Sequence, residues 1–290
     1  MQYHVDGRLV PAEEATVSVL DRGFMYGDAA FETLRVYGGA PFEWDAHCDR
    51  LRHTAETLGF ADAVPDDLRE RVDETLAAND LDDAYCKVSV SRGVQPGTLD
   101  PQPEVDPTVV VIVKSLPRGG RDGESSWDGP ATVQTVRTRR IPSDAVPADI
   151  KSHNYLNGIL GRLELRRSAG DGDPADECVL RDIDGNIAEG ATSNLFLVTE
   201  NGLRTPSAEL DLLSGVTREV VMDLARDEGF PVETGAYSLD ALRNADEAFL
   251  TNSTWEIRPI ETVDGIDVGA GPMTKLLQRL YDERVEAAHY

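Results

Sequence analysis

Lysine is nearly missing from this 290-residue chain, with four (Lys87, Lys114, Lys151, Lys275) among 28 basic groups that face 53 acidic ones for a net charge of −25. Such an excess repels phosphate backbones and anionic headgroups, which argues against nucleic-acid and membrane-surface partners. No stretch reaches the roughly 18 apolar residues a membrane span needs, and the opening MQYHVDGRLVPAEEA has no basic-then-apolar leader. A cytoplasmic protein is expected. The three cysteines, Cys48, Cys86 and Cys178, are far apart, with no CxxC or histidine spacing, which argues against a disulfide scaffold and a zinc site. No internal repeat is visible. The carboxylates are scattered rather than gathered in a tail, so the charge belongs to the surface. It reads as adaptation to a salt-rich cytoplasm, where screening weakens self-repulsion.

What is present is a regular alternation of strands and helices. At this length a single core stops growing, and two domains are expected. YHVDGRLV reads as a hairpin across Asp6-Gly7, and FETLRVYGGAPFEW as another across Gly38-Gly39. AHCDRLRHTAETLGF and DDLRERVDETLAAND have helical spacing, YCKVSVSRG alternates as a strand, and TVVVIVKSL reads as a strand buried on both faces. Residues 117–130, PRGGRDGESSWDGP, offer nothing to bury and mark a linker between a small domain, 1–116, and a larger one, 131–290. Beyond it ATVQTVRTRR is a strand, NYLNGILGRLELRRSAG a helix, and turns at Asp184-Gly185 and Asn201-Gly202 make a three-stranded meander. VTREVVMDLARDEGF is a helix, DEAFLTNS a strand and MTKLLQRLYDERVEAA a closing helix. The fold class is α+β, or mixed α/β, with a cleft expected between the domains.

Four lysines allow each to be weighed as a Schiff-base nucleophile. Lys275 falls on a solvated helix face, and Lys114 ends an apolar strand where a cation can snorkel. Lys87 alternates with Tyr85 and Ser89 on the polar face of its strand and can line a cleft, or simply pair with an acid there. Lys151 lies where an extended stretch gives way to a helix, so packing there can desolvate its amine, although most lysines at such junctions are structural. LLSGVTREV opens a helix, where N–H groups and the dipole favour a phosphate; ordinary capping by Ser214 is the simpler account. Arg50 can offer a bidentate fork or a surface ion pair. Glu189, among small residues at a strand end, can face a ring nitrogen or be one more surface acid. His47, His53 and His153 have no spacing for a metal or a triad and read as packing or surface residues.

Taken in order, DRGFMYGDAAFETLRVYGGAPF, HCDRL, IKSHNYLN, AEGATSNLF, LSGVTRE and DEAFLTNSTWEIRPI resemble the class IV, or fold-type IV, pyridoxal-phosphate enzymes. That family holds branched-chain and D-amino-acid transaminases and 4-amino-4-deoxychorismate lyase. The resemblance implies that Lys151 is the covalent anchor of pyridoxal 5'-phosphate. It implies that Arg50, Gly215, Val216, Thr217 and Ser253 hold the phosphate, that Glu189 meets the pyridine nitrogen, and that Tyr155 lies near the phenolic oxygen. It also implies a small N-terminal and a larger C-terminal domain, a coenzyme between them, a small-molecule amino substrate and a homodimer.

Within the family the chain departs from the branched-chain type, which reads FEG where Phe31-Glu32-Thr33 stands and has one more residue between the lysine and the Asn-Tyr pair. The D-amino-acid type has a basic Arg-x-His trap after the strand, where this chain reads Gly97-Thr98-Leu99. KSHNYLN with AEG and TNSxxEI looks most like the aminodeoxychorismate lyases, with amino-acid transamination as the alternative and a non-catalytic binding protein a distant third. Candidate substrate contacts are Tyr26, Phe31, Lys87, Arg92, Thr254 and Trp255.

Overall fold

The computed structural model describes residues 1–120 and 123–290; Arg121 and Asp122, inside the expected linker, lie outside the described residues. Two compact units emerge. The first is Met1–Arg118 with Ile150–Asn154 and Val285–Tyr290; the second is Gly119–Asp149 with Tyr155–Arg284. Two short segments from the later half of the sequence thus belong to the first unit, and one of them carries Lys151.

The first unit contains β1 (Gln2–Val5), β2 (Arg8–Pro11), α1 (Arg22–Tyr26), β3 (Ala29–Tyr37), β4 (Ala40–Pro41), α2 (Trp44–Thr57), α3 (Leu68–Ala77), β5 (Ala84–Ser91) and β6 (Thr108–Ser115). Its six strands form one antiparallel sheet in the order β2-β1-β6-β5-β3-β4. The Asp6-Gly7 hairpin forms because both residues take positive φ, as a turn matched to strand twist requires. Leu51 and Ala55 of α2 and Leu68, Val72 and Leu76 of α3 meet Val88, Val90, Val109, Val111 and Val113 of the sheet in one core. Each such leucine or valine contributes about 1.5–3 kcal/mol through burial. The apolar run in β6 is buried on one face rather than two: Val109, Val111 and Val113 are in the core while Val110 and Ile112 are half-buried. Both neighbours of β6 are antiparallel, and such a sheet needs only one packed face.

The second unit holds β7 (Ala131–Arg139), α4 (Leu156–Ser168), β8 (Glu177–Arg181), β9 (Ile187–Glu189), β10 (Asn194–Thr199), β11 (Gly202–Pro206), α5 (Val216–Asp227), β12 (Val232–Gly235), α6 (Leu239–Arg243), β13 (Glu247–Asn252), β14 (Glu256–Val263), β15 (Ile266–Asp267) and α7 (Pro272–His289), whose last residues join the first unit. Its sheet runs β12-β11-β10-β13-β14-β7-β8-β9, with β15 on β14. Both expected hairpins are there, but the meander is not. In hydrogen-bonded order β13, β14 and β7 stand between β10 and β8, because β13 pairs with β10 along Asn194–Val198. The segment expected to be a bare linker is engaged as well. Ser126 Oγ donates to the Thr254 carbonyl at 2.6 Å and Trp127 Nε1 to that of Trp255 at 3.0 Å, so its polar groups find partners where its apolar content offered none.

Candidate active site

In the first unit, Lys151 sits in an extended segment laid beside β3. Phe31 N donates to the Lys151 carbonyl at 3.0 Å, His153 N to that of Ala29 at 3.0 Å, and Ser152 bridges to Ala30. The Lys151 N–H in turn donates to Thr54 Oγ1 on α2 at 3.0 Å. The backbone around the amine is therefore fixed on two sides. Gly27, at φ +72 after α1, takes the left-handed conformation that other residues rarely adopt and lies beside the backbone of His153 and Asn154.

Strand register then gathers the neighbours. Phe31 opposes Ser89 and Thr33 opposes Lys87 across β3 and β5. The ammonium groups of Lys87 and Lys151 stand 4.6 and 4.9 Å from the centroid of the same Phe31 ring. His153 meets that ring edge-on at 5.4 Å and lies 3.1 Å from Ser89 Oγ. Burial, helped by the charge of Lys87, pushes His153 down to about 4, so the ring is neutral near neutrality. Burial and the charge of Lys151 also lower Lys87.

Arg50 comes from α2, and its fork is oriented by a residue the sequence reading passed over. Glu32 takes Arg50 Nε on Oε1 and NH2 on Oε2, both at 2.7 Å, and His47 Nδ1 on Oε2 at 2.8 Å. Glu32 is buried, which alone would raise its carboxyl; the Arg50 charge and the hydrogen bonds from Arg50 and His47 outweigh burial and hold it down to about 2. Burial keeps His47 low despite that carboxylate, so Nδ1 carries the proton that Glu32 accepts. His47 thus holds Glu32 as well as packing, while His153 packs against Phe31.

Two proposed substrate contacts part from this group. Arg92 is spent internally: its guanidinium binds Asp28 through Nε at 2.8 Å and NH2 at 3.3 Å, donates to the Leu58 carbonyl and lies 5.0 Å from the Phe60 ring centroid. Its Nε and one terminal nitrogen are thus engaged within the first unit. Tyr26 stays half-exposed beneath the Arg22 guanidinium.

In the second unit the candidate groups are largely backbone. α5 starts at Val216 after Gly215, which takes the cap position and, as a glycine, brings no side-chain oxygen to the first N–H groups. The first N–H groups of the helix and the buried Thr217 lie at its positive end. A Cβ on Gly215 would stand 2.0 Å from Asn194 Oδ1. The loop before α5 is clamped at Leu213, whose N–H donates to Glu189 Oε2 at 3.1 Å and whose carbonyl accepts from Asn194 Nδ2 at 2.9 Å. Glu189 and the helix start are therefore joined by this loop.

Glu189 is buried at the end of β9, with Arg140 Nε 3.0 Å from Oε1. Arg140 also donates to the Asp211 carbonyl at 2.9 Å and to Asn157 Oδ1 at 3.0 Å. Neither Arg140 nor Asn157 was singled out above, although the Arg139-Arg140 pair at a strand end was the available signal. Buried Glu177 accepts from Thr192 N, Thr192 Oγ1 and Ser193 Oγ, which shapes the loop after Glu189. Tyr155 heads α4, while Ser253, Thr254 and Trp255 form a turn in which Asn252 Oδ1 accepts from Thr254 N at 3.0 Å and Trp255 N at 2.7 Å.

Known proteins align along nearly the whole chain. The profile described as amino-transferase class IV matches residues 29–263. A Methanocaldococcus jannaschii protein provisionally named a branched-chain-amino-acid aminotransferase is 36% identical over 98% of this chain and 96% of its own length. The aminodeoxychorismate lyase of Bacillus subtilis is 33% identical over 98% of this chain and 94% of its own. Among solved structures, a T.th. branched-chain amino acid aminotransferase with pyridoxamine 5'-phosphate superposes with a TM-score of 0.87 at 29% identity, covering 99% of this chain and 94% of that one. With a mixed α/β fold and that profile spanning both units, the chain belongs to the class IV aminotransferases, fold-type IV enzymes that work with pyridoxal 5'-phosphate.

Proposed function

We propose that this enzyme eliminates pyruvate from 4-amino-4-deoxychorismate and leaves 4-aminobenzoate, a step toward folate. The supporting observation is the paired ammonium groups on Phe31: Lys87 and Lys151 lie 4.6 and 4.9 Å from one ring, and Lys87 has no carboxylate partner among the described residues. With Lys151 given to the coenzyme, Lys87 remains as a cation beside the reacting amine and favours a substrate with a further carboxylate, which aminodeoxychorismate carries and a branched-chain amino acid does not. The residue pattern adds Thr33, the short Lys151-to-Tyr155 spacing and the absence of an Arg-x-His trap.

The residues present have the donors that pyridoxal 5'-phosphate requires. The start of α5 with Thr217, and the side chains of Arg50 and Ser253, offer donors of the kind a phosphate takes. Glu189, held by Arg140 and the Leu213 N–H, suits a protonated ring nitrogen, and Tyr155 the phenolic oxygen. Lys151 supplies the amine for covalent attachment. When bound, the coenzyme draws electrons from the substrate's α-carbon and so acidifies its proton. The Lys151 amine, displaced by the substrate amine, takes that proton at Nζ. Breaking the ring carbon's bond to the enolpyruvyl oxygen then aromatises the ring, and the enolate that leaves with the electron pair takes up a proton at carbon to become pyruvate. Lys87 holds a substrate carboxylate, and Phe31 confines the amine to one side.

Incubation with aminodeoxychorismate should yield pyruvate and 4-aminobenzoate in equal amounts. Glutamate from an amino acid and 2-oxoglutarate, with no 4-aminobenzoate, would replace this reading with transamination, the activity in the name of the archaeal relative. We place the enzyme in the cytoplasm as a homodimer. α4 exposes Leu156, Ile159, Leu160 and Leu163, a stripe at helical spacing that a second copy would cover.

A further inference from the structure

A cavity of about 670 Å³ opens in the second unit and is lined by none of the residues assigned above to coenzyme or substrate. That volume is in the ordinary range for small-molecule sites. Trp127, Ile257, Pro272 and Leu276 make an apolar wall, and Lys275 and Arg279 stand one helical turn apart on α7 beside it. In a chain with 28 basic and 53 acidic groups, two cations at one opening are a local reversal of sign. Lys275 has no ion-pair partner among the described residues, and Arg279 has Glu283 at 3.6 Å in an exposed pair that solvent screens. The acidic lining residue, Glu256, already accepts the Gly120 N–H at 3.1 Å.

The wall is also tied to the turn that carries Thr254 and Trp255. Gly120 binds Glu256, Ser126 binds the Thr254 carbonyl and Trp127 the Trp255 carbonyl. Glu256 itself sits at φ +58, a conformation that costs a non-glycine residue energy and that those contacts help to hold. A molecule lying against Trp127 and Glu256 touches the groups that set this turn.

We infer that the cavity binds a small organic anion, a carboxylate on a flat aromatic or branched apolar body, and that its occupancy is coupled to the Thr254–Trp255 turn. The coupling rests on the proposal that this turn contacts substrate; the binding does not. Calorimetry on the holoenzyme with 1-naphthoate and its neutral counterpart 1-naphthamide tests the site. One naphthoate should bind per chain, and the amide should bind at least about tenfold more weakly, since the cations recognise the charge. A Lys275→Glu/Arg279→Glu variant, checked by its Tm and its unaltered turnover, should lose at least about tenfold in naphthoate affinity, while Lys87→Gln should stay within about twofold. Equal binding of the amide, no saturable binding, or weakening only in Lys87→Gln would overturn the site. Saturating naphthoate should shift the KM for the amino substrate in the wild type and not in the doubly reversed variant. An unchanged KM would overturn the coupling and leave the site standing.

Discussion

The candidate coenzyme groups of the two units are held by opposite means. The first relies on charged side chains: Glu32, His47 and Arg50 interlock with bonds of 2.7–2.8 Å, and Lys87 and Lys151 share a ring. The second relies on main chain, with the α5 N–H groups and the Leu213 N–H, and uses Arg140 and Asn157 to hold the one carboxylate it needs. A buried charge cluster is sensitive to losing any single member, because the remaining charges stay desolvated. A backbone site is sensitive to shape, because its donors cannot be mutated away but can be displaced.

That contrast can be broken or sharpened by substitution. The largest effect is expected from Lys151→Ala, which should reduce turnover by about 10³-fold or more and abolish the borohydride-sensitive visible absorption while leaving the Tm nearly unchanged. Retained absorption would place the coenzyme on another residue. Glu32→Gln follows, expected to cost about 3–5 kcal/mol in denaturant unfolding because Arg50 loses its buried counter-charge. The pH dependence should report the same cluster. A carboxyl held at about 2 against an ordinary 4.5 contributes stability above the higher value and loses it as the pH falls between them, so Glu32→Gln should flatten that acid limb.

Gly215→Ala tests the second unit. The added methyl meets Asn194 Oδ1, so α5 or Asn194 must shift, with an expected cost of about 1–3 kcal/mol and weakened uptake of pyridoxal 5'-phosphate measured by titration. If Gly215→Ala takes up coenzyme normally, shape is not what limits this unit. The smallest effect is expected from Lys87→Gln, about tenfold in KM for a dicarboxylate substrate with kcat little changed, since it removes charge recognition rather than the reacting amine. An unchanged KM would remove the main support for the lyase reading. Stability should also rise with added salt, which screens the surface carboxylates; indifference to salt would count against adaptation to a saline interior.

Much of the local structure was legible. Periodicity located α2, α3, α5 and α7, and Asp6-Gly7 and Gly38-Gly39 marked their hairpins through the positive φ such turns demand. The ordered motifs pointed to the coenzyme and to Lys151. What could not be read was pairing at a distance. The half-buried face of β6, the insertion of β13, β14 and β7 between two hairpins, and the partners of Trp127 all depend on segments far away in the chain.

For the candidate site the division falls in the same place. Arg92 looked as available as Lys87, since both are cations on one strand; only the fold shows Asp28 and the Leu58 carbonyl closing around one and not the other. Glu32 was one acid among 53, and nothing in its immediate neighbours announces that Arg50 and His47, a helix away, will neutralise it. By itself the sequence determined composition, surface charge, the local elements and the order of the motifs, because each depends on residues close together along the chain. Only the tertiary structure decided which charges are buried together and which strands are neighbours, because dielectric, hydrogen-bond supply and strand register arise from groups that meet only when the chain is folded.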